Sequence, residues 1–100
     1  MERKALEQKL TGFFEELHMQ PELSYEEYET TERIKRELAA AGIEILQIPL
    51  KTGVTAIVRG AKPGKTYGLR CDIDALPIAE ETDLPYKSKT PGKMHACGHD

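Results

Sequence analysis

The sequence predicts an α/β unit in which two helices come first, about three short strands follow, and a long loop closes the chain. Three observations predict this order. Apolar residues have helical spacing up to residue 41, β-branched runs lie between residues 43 and 71, and both patterns are lost from Asp72 onward. We find no internal repeat and no low-complexity tract. Helices and a small sheet are expected to pack as layers around one core.

Two amphipathic helices are predicted. The first covers residues 2–18, and the second covers about Tyr25–Ala41. Ser24 and Glu27 have the spacing of a capping box, which satisfies free amides at a helix start. Gly42 stands where a residue in the left-handed conformation ends a helix. The apolar residues that recur every three or four positions in the first helix are Leu6, Leu10, Phe13, Phe14 and Leu17.

Three strands and one long loop are predicted after the helices. The strands are Ile43–Ile48, Val54–Arg59 and Thr66–Cys71, each bounded by residues that favour turns. The third strand is expected to lie beside the first two. The loop, Asp72–Asp100, is too long to be a simple connection, so we expect it to be functional.

Composition excludes several classes of protein. With 100 residues, 39% hydrophobic and 31% charged, the chain has the size and composition of one small globular domain. A net charge of −3 without a basic stripe argues against nucleic acid as a partner. No apolar run approaches the roughly 20 residues of a membrane span, and Met1–Lys9 is too charged for a signal peptide. We therefore expect a cytoplasmic protein, where a disulfide between Cys71 and Cys97 is disfavoured.

The last seven residues, Met94–Asp100, bring a thiol, two imidazoles and a carboxylate together. Cys97 and His99 are predicted metal ligands, because thiolate and imidazole are ligands that zinc prefers and one glycine separates them. Two other interpretations stay open: a cysteine–histidine nucleophilic pair, and a buried cysteine beside a surface histidine. His95 either lines the site or packs.

Two aspartates begin the long loop. Asp72 and Asp74 alternate by two, so on an extended segment their carboxylates face the same side. They are either turn formers at a strand end or, for one of them, a carboxylate that holds a metal-binding imidazole in its correct tautomer. His18 alone indicates only a charge suited to a helix C-terminus.

Four separate motifs together resemble the amino-terminal part of one enzyme family. It is the aminoacylase-like metallo-amidohydrolase family, which includes hippurate hydrolases, indoleacetyl-amino-acid hydrolases and N-acetyl-diaminopimelate deacetylases. The order and spacing of the motifs match, and the closing Cys-Gly-His-Asp run is specific. The motifs are Leu17-His18 with Pro21-Glu22-Leu23-Ser24, then Thr52-Gly53-Val54, then Leu69 to Pro77 with Glu80, and finally Met94 to Asp100.

The resemblance implies a fold and a site. Residues 1–100 would be the amino-terminal part of a zinc-peptidase-like catalytic domain, without the rest of that domain and without the inserted lid or dimerisation domain. The site would hold two divalent metals, with Cys97 as a ligand shared between them, His99 as a ligand of one, and Asp74 in support. Thiolate and imidazole suit zinc, whereas a site completed by carboxylate also accepts manganese, cobalt or nickel.

The resemblance also implies a reaction, the metal-dependent hydrolysis of small N-acyl amino acids. A homo-oligomer is compatible with it. The remaining ligands and a general-base glutamate would follow Asp100, so we predict that the 100-residue chain alone is inactive. The alternative hypothesis is a non-catalytic metal-binding or interaction module from a truncated reading frame.

Overall fold

A computed structural model describes residues 2–98 and confirms the predicted fold class. Helix α1 spans Arg3–Met19, within one residue of its predicted bounds, and helix α2 spans Tyr28–Ala40. Two short strands follow, β1 over Glu44–Ile45 and β2 over Ala56–Ile57. Within residues 2–98, neither helix has the length and apolar character needed to cross a membrane.

Helix α2 begins at Tyr28, so the predicted start at Tyr25 and the predicted capping box are wrong. Tyr25 has a φ of 67°, a left-handed conformation that cannot continue into a right-handed helix. The first amides of α2 are satisfied by Glu22 instead. Its carboxylate accepts hydrogen bonds from the amides of Glu29 at 3.2 Å and Thr30 at 2.6 Å. A carboxylate at this position also complements the positive end of the helix dipole.

Helix α2 ends as the sequence predicted, at a glycine in the left-handed conformation. Gly42 has a φ of 75°. Its amide donates to the carbonyl of Ala39, and the amide of Ile43 donates to the carbonyl of Leu38, both at 3.0 Å. These two bonds form a Schellman motif, which satisfies carbonyls that the helix leaves unpaired.

The strands are fewer and shorter than predicted. β1 and β2 lie within the first two predicted segments and pair antiparallel, with Glu44 opposite Ile57. The third predicted strand, Thr66–Cys71, is wrong, because the structure places no strand there. Tyr67 and Leu69 are 85% and 98% exposed. A strand exists only when its backbone pairs with a neighbour, and among residues 2–98 no backbone hydrogen bond joins this segment to another.

A threonine joins the start of α2 to the turn between the strands. The hydroxyl of Thr31 donates to the carbonyl of Glu27 at 2.5 Å and accepts from the amide of Gly53 at 2.8 Å. The hydroxyl of Thr52 donates to the carboxylate of Glu27 at 3.1 Å. This turn is therefore held against the helix by polar groups.

The interior of the described chain is mostly polar. Among residues 2–98, the buried apolar residues are Ala75, at 3% exposure, and Pro21. The buried polar residues are His18, Glu27, Thr30, Thr31 and Glu80. Three of them, His18, Thr30 and Glu80, lie where the end of α1, the start of α2 and the long loop meet.

Candidate functional site

A cavity of about 240 Å³ opens where the end of α1 meets both ends of the long loop. Three elements line it. Helix α1 contributes its last turns, helix α2 contributes its first turn, and the loop contributes residues from its beginning and its end. The lining residues are Phe14, Leu17, His18, Thr30, Asp72, Ile73, His95 and Cys97. The walls are largely apolar, and the polar groups are concentrated on the loop and at His18.

Backbone pairing brings the two ends of the loop together. The amide of Leu76 donates to the carbonyl of Met94 at 2.9 Å, and the amide of Met94 donates back to Leu76 at 3.0 Å. The chain therefore returns on itself, and Cys97 lines the same cavity as Asp72. This pairing is the physical reason that the beginning and the end of the loop reach one cavity.

Two further backbone bonds tie the loop to the helices. The amide of Lys89 donates to the carbonyl of Met19, in the last turn of α1, at 2.8 Å. The amide of Ala75 donates to the carbonyl of Glu22 at 2.7 Å. Glu22 thus serves twice, because its side chain caps α2 and its backbone holds the start of the loop.

A buried imidazole–carboxylate pair lies beside the cavity. His18 Nε2 is 3.0 Å from Glu80 Oε1, and the two side chains are 8% and 1% exposed. Glu80 also accepts hydrogen bonds from the amide of Ser88, at 2.9 Å, and from the hydroxyl of Thr82. Because an ionised carboxylate only accepts, His18 Nε2 carries the hydrogen of this bond.

These hydrogen bonds keep Glu80 ionised. The bond from the Thr82 hydroxyl has the largest effect, the bonds from Ser88 and His18 add to it, and burial opposes them. Together they lower the pKa of Glu80 from 4.5 to about 2. A buried carboxylate with three donors is thus a fixed negative charge at neutral pH.

Aromatic rings enclose the imidazole of His18. The ring of Phe14 stacks at a centroid distance of 6.1 Å, and the ring of Tyr86 meets it edge-on at 5.6 Å. The ring of His95 lies 6.5 Å away. The orientation of His18 is therefore set by packing as well as by Glu80.

The structure places the predicted site residues unequally. Cys97 lines the cavity and is exposed. Asp72 lines it too, and its carboxylate accepts a 2.6 Å contact from Arg70. Asp74 is half-buried and is not among the residues described as lining the cavity. His99 lies outside the described residues, so its predicted role as a ligand is untested.

The described residues alone do not complete a metal site. Within residues 2–98, no group of three histidine, cysteine, aspartate or glutamate side chains is placed to hold a metal ion. The types of donor on the cavity wall nevertheless suit a divalent metal, since Cys97, Asp72 and His95 offer thiolate, carboxylate and imidazole.

Sequence reasoning missed the role of His18. The histidine was interpreted only as a helix-end charge, whereas the structure pairs it with Glu80, 62 residues away. The one indication in the sequence was that His18 and Glu80 both belong to the motifs that resemble the amidohydrolase family. Spacing along the chain could not show that the two residues meet.

Comparison with known proteins agrees with the motifs. Residues 68–100 match the model of Peptidase family M20/M25/M40. An N-acetylcysteine deacetylase of Bacillus subtilis is 52% identical over 101 residues, covering 100% of this chain and 27% of the relative. Thermostable carboxypeptidase 1 of Saccharolobus solfataricus is 52% identical over 85 residues, covering 84% of this chain and 22% of the relative.

A solved structure agrees as well. The Bacillus subtilis YXEP protein, described as a dinuclear metal binding peptidase from the M20 family, superposes with a TM-score of 0.93 at 50% identity. The match covers 98% of this chain and 28% of that one. The chain thus spans about a quarter of the length of the curated relatives that it matches. Residues 68–100 carry the sequence that the M20 family model matches, and in sequence and fold the whole chain corresponds to about a quarter of an M20 peptidase.

Proposed function

We propose that the full-length protein is a metal-dependent amidohydrolase that cleaves N-acyl amino acids, and that residues 1–100 form one wall of its active site. The observation that carries the proposal is the shared cavity. Cys97, from the end of the loop, and Asp72, from its beginning, line the same 240 Å³ space. The N-acetylcysteine deacetylase relative supports the choice of an N-acyl substrate.

We assign the metal donors of this chain to Cys97 and His99, with Asp74 in support. The dinuclear metal site named for the similar solved structure supports two divalent metals in the complete protein. Since the described residues hold no three-ligand group, the other ligands and the general base are proposed to lie outside residues 1–100. Bound divalent metals would supply an activated water and a Lewis acid for the amide carbonyl.

The residues of this chain would then have distinct tasks. Cys97 lines the cavity and is exposed, so its sulfur is accessible to metal. The apolar side chains of Phe14, Leu17 and Ile73 line the same cavity and would help to exclude water from it. Because the remaining metal ligands and the general base are proposed to lie elsewhere, we propose that residues 1–100 alone do not turn over substrate. An exposed Cys71 thiol fits the reducing cytoplasm in which we place the protein.

The test compares the full-length protein with residues 1–100. Each is incubated with zinc or manganese and with N-acetyl amino acids, and release of the free amino acid is measured. A dipeptide tests the carboxypeptidase activity that one relative's name suggests. We expect the full-length protein to prefer N-acetyl amino acids, to lose activity with a chelator and to regain it with metal. Turnover by the homogeneous 100-residue chain would contradict the assignment of ligands and base elsewhere.

Metal binding without any turnover would favour the alternative function. A full-length protein that binds metal but cleaves neither substrate class would be a non-catalytic metal-binding module. Activity that survives chelation but is lost on alkylation would instead favour a thiol nucleophile at Cys97.

A further inference from the structure

Two ionisable side chains in the interior join the end of α1 to the middle of the loop. His18 and Glu80 are 8% and 1% exposed and meet at 3.0 Å. Apolar residues of similar volume could fill this space without the desolvation cost of buried charges. What the polar pair adds is direction, because hydrogen bonds fix the relative orientation of the groups that they join.

The pair continues into an unbroken chain of hydrogen bonds. The Glu80 carboxylate accepts from the amide of Ser88 at 2.9 Å. The hydroxyl of Ser88 donates to the carbonyl of Lys93 at 2.8 Å. Lys93 lies two residues before the 95–97 segment, which contributes His95 and Cys97 to the lining of the cavity. A displacement of His18 would therefore be passed along these bonds to that segment.

The imidazole also contacts that segment more directly. Its ring is 6.5 Å from the ring of His95, and Phe14 and Tyr86 hold it from two other sides. The end of α1 is further fixed to the loop by the Lys89–Met19 backbone bond. Helix α1 is thus the rigid element against which the end of the loop is placed.

We propose that the His18–Glu80 pair is a clamp: it positions the 95–97 segment at the cavity that Asp72 also lines. It thereby sets the position of the Cys97 thiolate in the metal site. The inference rests on the proposed function. His18 acts through other residues, so it is a positioning residue and not a catalytic one.

Two substitutions that differ only in reach test the clamp. In His18→Gln the side-chain amide can place an N–H near the position of Nε2, whereas in His18→Asn it is too short to reach Glu80. Both variants are made in the full-length protein and loaded with Co²⁺, whose absorption reports a bound thiolate. We expect H18N to weaken cobalt affinity by about 10–100-fold, the range found for residues that orient metal ligands. H18Q should recover most of that loss.

A metal-free readout and a control separate positioning from general destabilisation. Amide hydrogen exchange of residues 88–97 in the metal-free protein should be faster in H18N than in H18Q. Thr31→Val breaks a hydrogen bond between α2 and Gly53, away from the clamp. It should lower the unfolding midpoint but leave cobalt affinity, the thiolate band and exchange of residues 88–97 unchanged.

Several results would overturn the clamp. Wild-type cobalt affinity in H18N, or an equal loss in H18N and H18Q, would show that the hydrogen bond to Glu80 does not position the thiolate. A wild-type cobalt spectrum without a thiolate band would do the same. Turnover is measured separately: a protein that binds cobalt through thiolate and responds to H18N, yet hydrolyses nothing, supports the clamp and contradicts the proposed function.

Discussion

Glu80 is a buried carboxyl group whose surroundings favour its charged form. Its three donors come from different parts of the chain: the Thr82 hydroxyl, the Ser88 amide and His18. The donors disperse in the unfolded chain, where the carboxyl group returns to its ordinary pKa. The native arrangement is therefore linked to the protonation of this residue.

The first prediction concerns acid stability. The pKa of Glu80 is lowered from 4.5 to about 2, so its contribution to stability is complete above pH 4.5 and is lost as the pH falls from 4.5 towards 2. In Glu80→Gln this contribution is absent at every pH. We expect the free energy of unfolding of the full-length protein to fall less steeply through that window in E80Q than in wild type, as measured by denaturant titration. Parallel curves for the two proteins would contradict the linkage.

The two cysteines allow a matched test of the metal assignment. Cys97 lines the cavity, whereas Cys71 is exposed on the segment before Asp72. We expect Cys97→Ser to weaken zinc affinity of the full-length protein by more than about 100-fold, beyond the range for residues that only orient ligands. Cys71→Ser should leave it unchanged. Chelator competition measures both, and equal affinities in the two variants would remove Cys97 from the ligand set.

At the scale of residues, the sequence indicates which residues can bind a metal better than it indicates which residues contact one another. Cys97 was recognisable as a candidate ligand because few residue types bind metals, and it lines the cavity. Asp74, the aspartate predicted to support the site, is not among the lining residues, whereas its neighbour Asp72 is. The pairing of His18 with Glu80 was not recognisable, because it depends on how a loop of almost thirty residues folds over α1. Local patterns carry no information about such a path.

At the scale of elements, helix ends show where local rules hold and where they fail. Gly42 ends α2 as predicted, because a Schellman motif needs only the helix and its next two residues. The predicted start of α2 was wrong because the first amides of the helix are capped by Glu22, six residues before Tyr28. Between Glu22 and the helix, Tyr25 adopts a left-handed conformation that interrupts the chain's helical path. A capping box was present in the sequence, yet a better-placed carboxylate replaced it.

Two adjacent threonines in α2 supply the third prediction. The Thr31 hydroxyl bonds to the Glu27 carbonyl and the Gly53 amide, whereas the buried Thr30 hydroxyl has no hydrogen-bond partner in the described chain. Thr31→Val should lower the free energy of unfolding of the full-length protein by about 1–3 kcal/mol, because it strands polar partners. Thr30→Val removes an unpaired buried group and should leave stability unchanged or higher. Denaturant titration compares them, and the reverse order would contradict this account.

At the scale of the whole molecule, the described chain has secondary structure but little apolar core. Its buried apolar residues are Ala75 and Pro21, and Val58, Tyr67 and Leu69 are more than three-quarters exposed at 77%, 85% and 98%. The radius of gyration is 15.3 Å, against about 13 Å for a compact domain of this length. The third strand could be predicted as a β-type sequence, but its pairing depends on a neighbour that the sequence of residues 1–100 does not identify.

The last prediction follows from this exposed surface. Each buried Å² of apolar surface contributes roughly 25 cal/mol, so residues 1–100 alone have too little buried apolar surface to offset the conformational entropy of folding. We expect the isolated chain to bind a hydrophobic dye, to associate at high concentration and to unfold without a sharp transition. The full-length protein should unfold cooperatively and bind little dye.

Leu69→Lys should reduce dye binding and association of the isolated chain, whereas Arg3→Lys, on the exposed surface of α1, should not. A sharp, concentration-independent unfolding transition of residues 1–100 would mean that the polar network around Glu22, Thr31 and Glu80 is sufficient to hold the unit together without an apolar core.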